Sequence, residues 1–121
     1  MSKETFDALK AVLVAQSDGM KVTEDGPVVF ALDIVGPIEL AGRSMPSLFF
    51  AAVKEGKKDT ALHFFPIYSH PQRFADLPAS LRGKMTGKSC FHFKTIGLEM
   101  LDAVGSMLAR GREIYSDPAS T

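Results

Sequence analysis

The spacing of apolar residues changes once within the first third of the chain. Across residues 3–17 they recur every three or four positions, which is the spacing of one face of an α-helix. The residues on that face are Phe6, Leu9, Val12 and Leu13. Gly19 follows where a left-handed residue commonly ends a helix. From residue 28 to residue 35 the period becomes two, so we predict a strand there and a turn at Gly36-Pro37.

The same period of two continues through the middle of the chain. Further strands are predicted over residues 38–41, 47–54, 60–67 and 89–94. Residues 42–46 form a predicted turn between the first two of these strands. The polar segment EGKKD has the length of a hairpin loop, so 47–54 and 60–67 should pair in antiparallel fashion.

Helical segments fill the rest of the pattern. Pro71 and Pro78 divide residues 69–88 into two short pieces, and each proline suits the start of a brief helix. A final amphipathic helix is predicted to begin near Thr95, with Gly111 placed to end it.

The order of these elements predicts an α+β fold. Strands that follow one another directly form an antiparallel sheet, whereas strands that alternate with helices form a parallel one. We therefore predict one domain over residues 1–121, a single antiparallel sheet of about five strands, and N- and C-terminal helices packed on one face. In the last strand, Phe91 and Phe93 should face the helices, so His92 and Lys94 should point to the opposite, open face.

Composition and charge exclude some classes of function. The chain has 121 residues, 45% of them hydrophobic, which is ordinary for one globular domain. Fourteen basic and fourteen acidic residues cancel, which argues against a broad basic surface for nucleic acid. The lone Cys90 cannot form an internal disulfide, and the sequence contains no secretory signal or membrane-spanning run. We expect a cytoplasmic protein that contacts neither nucleic acid nor membrane.

Three motifs resemble a known family. They are HFFPIY (63–68), LPASLRGKMTGKSCFHFK (77–94) and GREIY (111–115). They are similar to the YdhG-like family of small uncharacterised bacterial proteins, over roughly residues 45–115. The resemblance implies an α+β fold related to that of a bacterial frataxin-like iron chaperone. Frataxin-like proteins are associated with iron on an acidic ridge of the first helix, and this helix departs from that pattern, with Glu4 and Asp7 flanked by two lysines.

Metal binding is one hypothesis for the open sheet face. The side chains concerned are Asp33, His63, Cys90 and His92. Carboxylate, imidazole and thiolate groups are ligands suited to zinc or iron, provided that the strand register brings them together. The alternative is that all of them are half-exposed sheet residues with local hydrogen bonds, and that Cys90 is a small apolar side chain.

Anion binding by the basic loop at residues 83–89 is the second hypothesis. The loop GKMTGKS superficially resembles a phosphate-binding Walker A loop, but its glycines are too close together and a strand follows it, so nucleotide hydrolysis is excluded. Lysines and exposed amides could still hold a phosphate or carboxylate, the alternative being a solvated turn. Together with polar groups of the open face, the predicted ligand-binding residues are His63, Tyr68, Arg82, Lys84, Lys88, Ser89, His92 and Lys94.

Two further hypotheses use the same region. Cys90 with His63 or His92 could form a nucleophile and base, although nothing nearby suggests an oxyanion hole. The many phenylalanines could line an apolar cleft or bury against a second copy in a structural homodimer. Of these, we predict a binding domain for a small anionic ligand rather than an enzyme, with no cofactor. Iron or zinc handling and a purely structural homodimer are the alternatives.

Overall fold

The computed structural model describes residues 3–40 and 42–116. The helices are α1 (Lys3–Ala15), α2 (Phe65–Ser69), α3 (Ala79–Arg82) and α4 (Leu98–Ser116), with a 3-10 turn at Pro71–Phe74. The strands are β1 (Met20–Asp25), β2 (Val29–Leu40), β3 (Arg43–Glu55), β4 (Thr60–Phe64), β5 (Met85–Thr86) and β6 (Cys90–Phe93). Within these ranges no helix is both long and apolar enough to cross a membrane.

The strands form one antiparallel sheet. Their order is β1-β2-β3-β4-β6-β5, and each neighbouring pair is antiparallel. α1 packs against α4, β3 and β4, while α4 also contacts β2. The predicted α+β class is therefore confirmed, with six strands in the described ranges where about five were expected.

Side-chain alternation along β6 separates the covered face of the sheet from the open one. Phe91 and Phe93 are completely buried in the core between sheet and helices. His92 is half-buried and Lys94 is exposed. This is the arrangement that the period of two predicted, because successive side chains of a strand point to opposite faces.

The predicted turn at Gly36-Pro37 is wrong. β2 runs through this pair, whose peptide bond is cis, and the ladder to β3 shifts register between Val35 and Ile38. Proline has no N–H for the ladder, and the irregularity accommodates that loss. The hairpin instead joins Leu40 to Arg43, so Gly42 lies in the turn as predicted, whereas residues 43–46 belong to β3. Position 41, the predicted end of the short strand, lies outside the described residues.

Other boundaries also differ from the predicted ones. β4 ends at Phe64, and α2 begins directly after it with Pro66 in its first turn, where proline is tolerated. α4 begins at Leu98 and continues through Gly111, the residue predicted to end it. β1 was not predicted because its sequence, MKVTED, is polar and its side chains are mostly exposed.

Candidate functional site

The candidate site lies where β4 ends and β6 begins. The Phe64 N–H donates a hydrogen bond to the Ser89 carbonyl at 2.8 Å, which extends the pairing of the two strands to their ends. From this point the chain leaves β4 as α2 and the 3-10 turn. It returns through α3, β5 and a short hairpin loop into β6. Gly87 adopts a left-handed conformation (φ 68°), which a short hairpin loop requires and which glycine adopts without steric cost.

A cavity of about 670 Å³ opens between these two segments. Its apolar lining consists of Phe65, Ile67, Tyr68, Pro71, Phe74 and Met85. Its polar lining consists of Ser69, Arg82 and Lys88. A concave site of several hundred cubic ångströms with apolar walls and few polar groups is typical of small-molecule binding.

The inner part of the cavity wall belongs to the protein core. Phe74 is completely buried and meets the ring of Phe64 edge-on, with ring centroids 5.4 Å apart. Ile67 is also buried. Tyr68 stands at the outside, with 55% of its surface exposed and its ring 5.7 Å from that of Phe65. The cavity thus has a rigid inner wall and an exposed aromatic residue on its outer side.

Two cations and no acidic residue line the cavity in the part of the chain that the structure describes. They are Arg82, from the end of α3, and Lys88, from the hairpin loop. The Arg82 guanidinium donates a hydrogen bond to the Phe74 carbonyl at 2.7 Å. Asp76 lies between the 3-10 turn and α3, and its carboxylate accepts a hydrogen bond from Arg110 at 2.6 Å. This bond is the largest effect that lowers the pKa of Asp76, and the charge of Arg82 is a smaller one.

A partly buried hydrogen-bond network connects the cavity wall to α4. The Ser69 hydroxyl lies 2.8 Å from His70 Nδ1 and also contacts the Tyr115 hydroxyl on α4. The rings of His70 and Tyr115 meet edge-on with centroids 5.8 Å apart. Burial raises the pKa of Tyr115 to about 12, the contact with Ser69 acting in the opposite direction. This network fixes the end of α2 against α4.

The structure divides the predicted ligand-binding residues between two faces. Tyr68, Arg82 and Lys88 come together in the cavity. The others lie outside it. His63 and Ser89 line a smaller groove of about 330 Å³ on the open sheet face. The His92 side chain contacts Asp59 at 3.1 Å, and its backbone N–H donates a hydrogen bond to the Lys84 carbonyl. Lys94 is exposed.

The predicted metal ligands are only partly brought together. Cys90 Sγ lies 3.0 Å from His63 Nδ1, whereas His92 is engaged with Asp59, and Asp33 on β2 pairs with Phe49. Burial lowers the pKa of His63, with smaller contributions from nearby positive charges. Across residues 3–40 and 42–116, no group of three or more His, Cys, Asp or Glu side chains is arranged to hold a metal ion. Metal binding through these residues stays a prediction.

The sequence predicted Tyr68 and an apolar cleft with phenylalanines, but it missed four further apolar lining residues and the Ser69–Tyr115 contact. The four are Ile67, Pro71, Phe74 and Met85. One available signal was the concentration of aromatic residues in the proline-interrupted segment 64–74, a few residues before the basic loop. The contact between Ser69 and Tyr115 joins residues 46 positions apart, so no local pattern predicts it.

Comparison with known proteins adds no relative. No protein-family model, curated protein or solved structure matches the chain. The resemblance to the YdhG-like family is therefore still a prediction, and the geometry of the site is the basis for a functional argument.

Proposed function

We propose that this protein binds a small anionic ligand with an apolar body in the cavity between α2 and the β5–β6 hairpin. The observation that carries the proposal is the combination of a largely apolar wall with Arg82 and Lys88 in one cavity of about 670 Å³. This keeps the ligand class expected from the sequence and places the ligand beside the basic loop rather than across the open sheet face.

The favourable and unfavourable contributions to the binding free energy at such a site predict modest affinity. Burial of apolar ligand surface contributes about 25 cal/mol per Å². Both cations are largely exposed, so their attraction to an anion is weakened by water and salt. After the entropic cost of association, dissociation constants in the micromolar to millimolar range are expected, roughly 10⁻⁶ to 10⁻³ M.

Thermal-shift screening tests the proposal. The panel contains aromatic and alkyl carboxylates, the matching phosphates, and the corresponding uncharged amides. We expect anions with an apolar body to raise the melting temperature in a concentration-dependent way, because a ligand that binds only the folded state stabilises it. The amides should have a much smaller effect.

Three lysine and histidine variants locate the effect. Lys88→Ala should weaken the stabilisation, whereas Lys84→Ala changes the charge of the same loop outside the cavity and should not. His92→Ala removes an open-face group and should also leave it unchanged. If no anion stabilises the protein, or if binding is indifferent to Lys88→Ala, the proposal is wrong.

We further propose a cytoplasmic location and, as an alternative role, self-association. A single cysteine, Cys90, which is free in the structure, supports a reducing compartment such as the cytoplasm.

Phe49 and Val35 are partly exposed, with 38% and 53% of their surfaces accessible, and these residues support a homodimer as the alternative role. A melting temperature that rises with protein concentration would favour the dimer.

A further inference from the structure

The aromatic character of the cavity wall narrows the class of ligand, if the proposed function is correct. Three of its apolar lining residues carry aromatic rings, namely Phe65, Tyr68 and Phe74. Phe65 and Tyr68 are successive on α2 at a spacing of three, which places both rings on one side of that helix with an interplanar angle of 39°. Pro71 adds a rigid saturated ring, and Met85 adds a polarisable thioether.

A wall with aromatic rings discriminates between ligand shapes. A ring that enters beside other rings gains offset or edge-on contacts in addition to the burial of its surface. An alkyl chain of equal size gains the burial alone and must also give up the freedom of its rotatable bonds. The buried ring of Phe74 is held edge-on against Phe64, so this part of the wall is already formed before a ligand arrives.

The charged part of the lining favours a carboxylate over a phosphate. Arg82 already uses one of its terminal nitrogens to hold the Phe74 carbonyl, which restricts the orientation of the guanidinium and leaves its other N–H groups to a small planar acceptor. Lys88 adds a second positive charge without a fixed plane. Phosphate sites usually add several converging backbone N–H groups at a nest or the start of a longer helix, and α3 has only four residues.

We infer that the cavity selects aromatic carboxylic acids: a ring system seated against Phe65 and Tyr68, on a wall that the buried Phe74 supports, with its carboxylate toward Arg82 and Lys88. The inference goes beyond the proposed function, which requires only an anion with an apolar body. It names the shape of the body and the kind of acid.

Calorimetric titration with four probes tests this selection. The probes are 2-naphthoate, decanoate of similar size, uncharged 2-naphthamide, and 2-naphthyl phosphate. For the wild-type protein we expect 2-naphthoate to bind about tenfold more tightly than each of the other three. In Tyr68→Leu, which changes an exposed side chain and should not impair folding, the preference for naphthoate over decanoate should fall severalfold. Lys84→Ala serves as the variant that keeps the preference.

The outcomes separate the two proposals. If decanoate binds as tightly as naphthoate and both depend on Lys88, aromatic selection is wrong and the proposed function stands. If naphthyl phosphate binds more tightly than naphthoate, the assignment to carboxylic acids is wrong. If no probe binds, or if binding ignores Lys88→Ala, the proposed function itself fails and the selection fails with it.

Discussion

The Arg82 guanidinium donates a hydrogen bond to the Phe74 carbonyl oxygen at 2.7 Å, and both residues line the same cavity. This contact ties the end of α3 to the 3-10 turn, which are separated in sequence by a loop around Pro78. It also limits the positions that the cation can adopt. Arg82 therefore has two roles in our account, since it shapes the wall and supplies charge.

Substitution of Arg82 should affect both stability and binding. Arg82→Ala removes a hydrogen bond from a charged donor, and we expect a loss of about 1–2 kcal/mol in the free energy of unfolding. Arg82→Lys keeps the charge but loses the planar group with several N–H donors. Compared with Arg82→Ala, it should therefore bind a carboxylate more tightly, with a smaller gain in stability. Urea unfolding and calorimetry measure the two effects. Arg43→Ala, at the β2–β3 hairpin, is the control and should change neither.

Gly111 allows α4 to pack closely on the core. A Cβ at this position would lie 2.8 Å from Cζ of Phe64 and 2.9 Å from Cγ of Pro66. Phe64 cannot easily move, because it is completely buried and held edge-on by Phe50 and Phe74. We expect Gly111→Ala to destabilise the protein by about 1–3 kcal/mol, the usual cost of overpacking, reduced by the better helix propensity of alanine.

A second glycine of the same helix provides the matched control. A Cβ at Gly105 would lie 3.7 Å from Cγ1 of Val12, an ordinary contact. Gly105→Ala should therefore stabilise the protein by up to about 1 kcal/mol, because helix propensity acts there without a clash. Urea unfolding of both variants measures the difference, and equal effects at the two positions would contradict this account of the packing.

Burial of the Tyr115 phenol predicts an alkaline loss of stability. Tyr115 has a pKa of about 12 in the folded protein, compared with an ordinary value of 10, so the folded state retains the proton more strongly. Stability from this group is complete below pH 10 and decreases as the pH rises toward 12. Tyr115→Phe should cost about 1 kcal/mol at neutral pH through the lost hydrogen bond, and it should flatten the alkaline decrease.

Unfolding experiments between pH 8 and about 12 check this prediction. Tyr68→Phe, which removes the only other tyrosine of the chain, is the control and should keep the alkaline decrease. A Tyr115→Phe protein that loses stability with pH as steeply as the wild type would show that the buried phenol is not responsible.

The lowered pKa of His63 predicts a loss of stability at acid pH. Burial lowers its pKa below 6.5, and the charges of Lys54 and His92 act in the same direction. The unfolded chain therefore takes up a proton before the folded protein does, so the folded state loses stability as the pH falls through 6.5 to the lower folded value. His63→Gln should reduce the slope of stability against pH between about pH 7 and pH 5. Equal slopes in the two proteins would contradict the assignment.

The sequence predicted the core-facing side of the sheet and of α1 well, because burial there follows the periodicity of the apolar residues. Phe91 and Phe93 alternate with polar residues and are buried as expected, and Leu9 and Leu13 lie on the buried face of α1. It failed where the backbone followed tertiary pairing instead of local preference. The Gly36-Pro37 pair reads as a turn locally, yet β3 holds it within β2.

The site was predictable in its chemistry and only partly in its geometry. The sequence indicated Arg82 and Lys88 through the basic loop region and Tyr68 as a polar group of the open sheet face, and all three line the cavity. Their separation from His63 and His92 depends on where β4 ends and how the crossover folds back, which are properties of the whole sheet. No periodicity within the segment could supply that information.

The most direct test of the central claim is the location of a bound anion. Amide chemical shifts of isotope-labelled protein, followed while 2-naphthoate is added, report which residues sense the ligand. Our account predicts saturable changes concentrated at residues 65–74 and 82–88, which need a higher ligand concentration in Lys88→Ala and are unchanged in Lys84→Ala. Changes concentrated instead at Ala61, His63 and His92 on the open sheet face, or no saturable change at all, would contradict it.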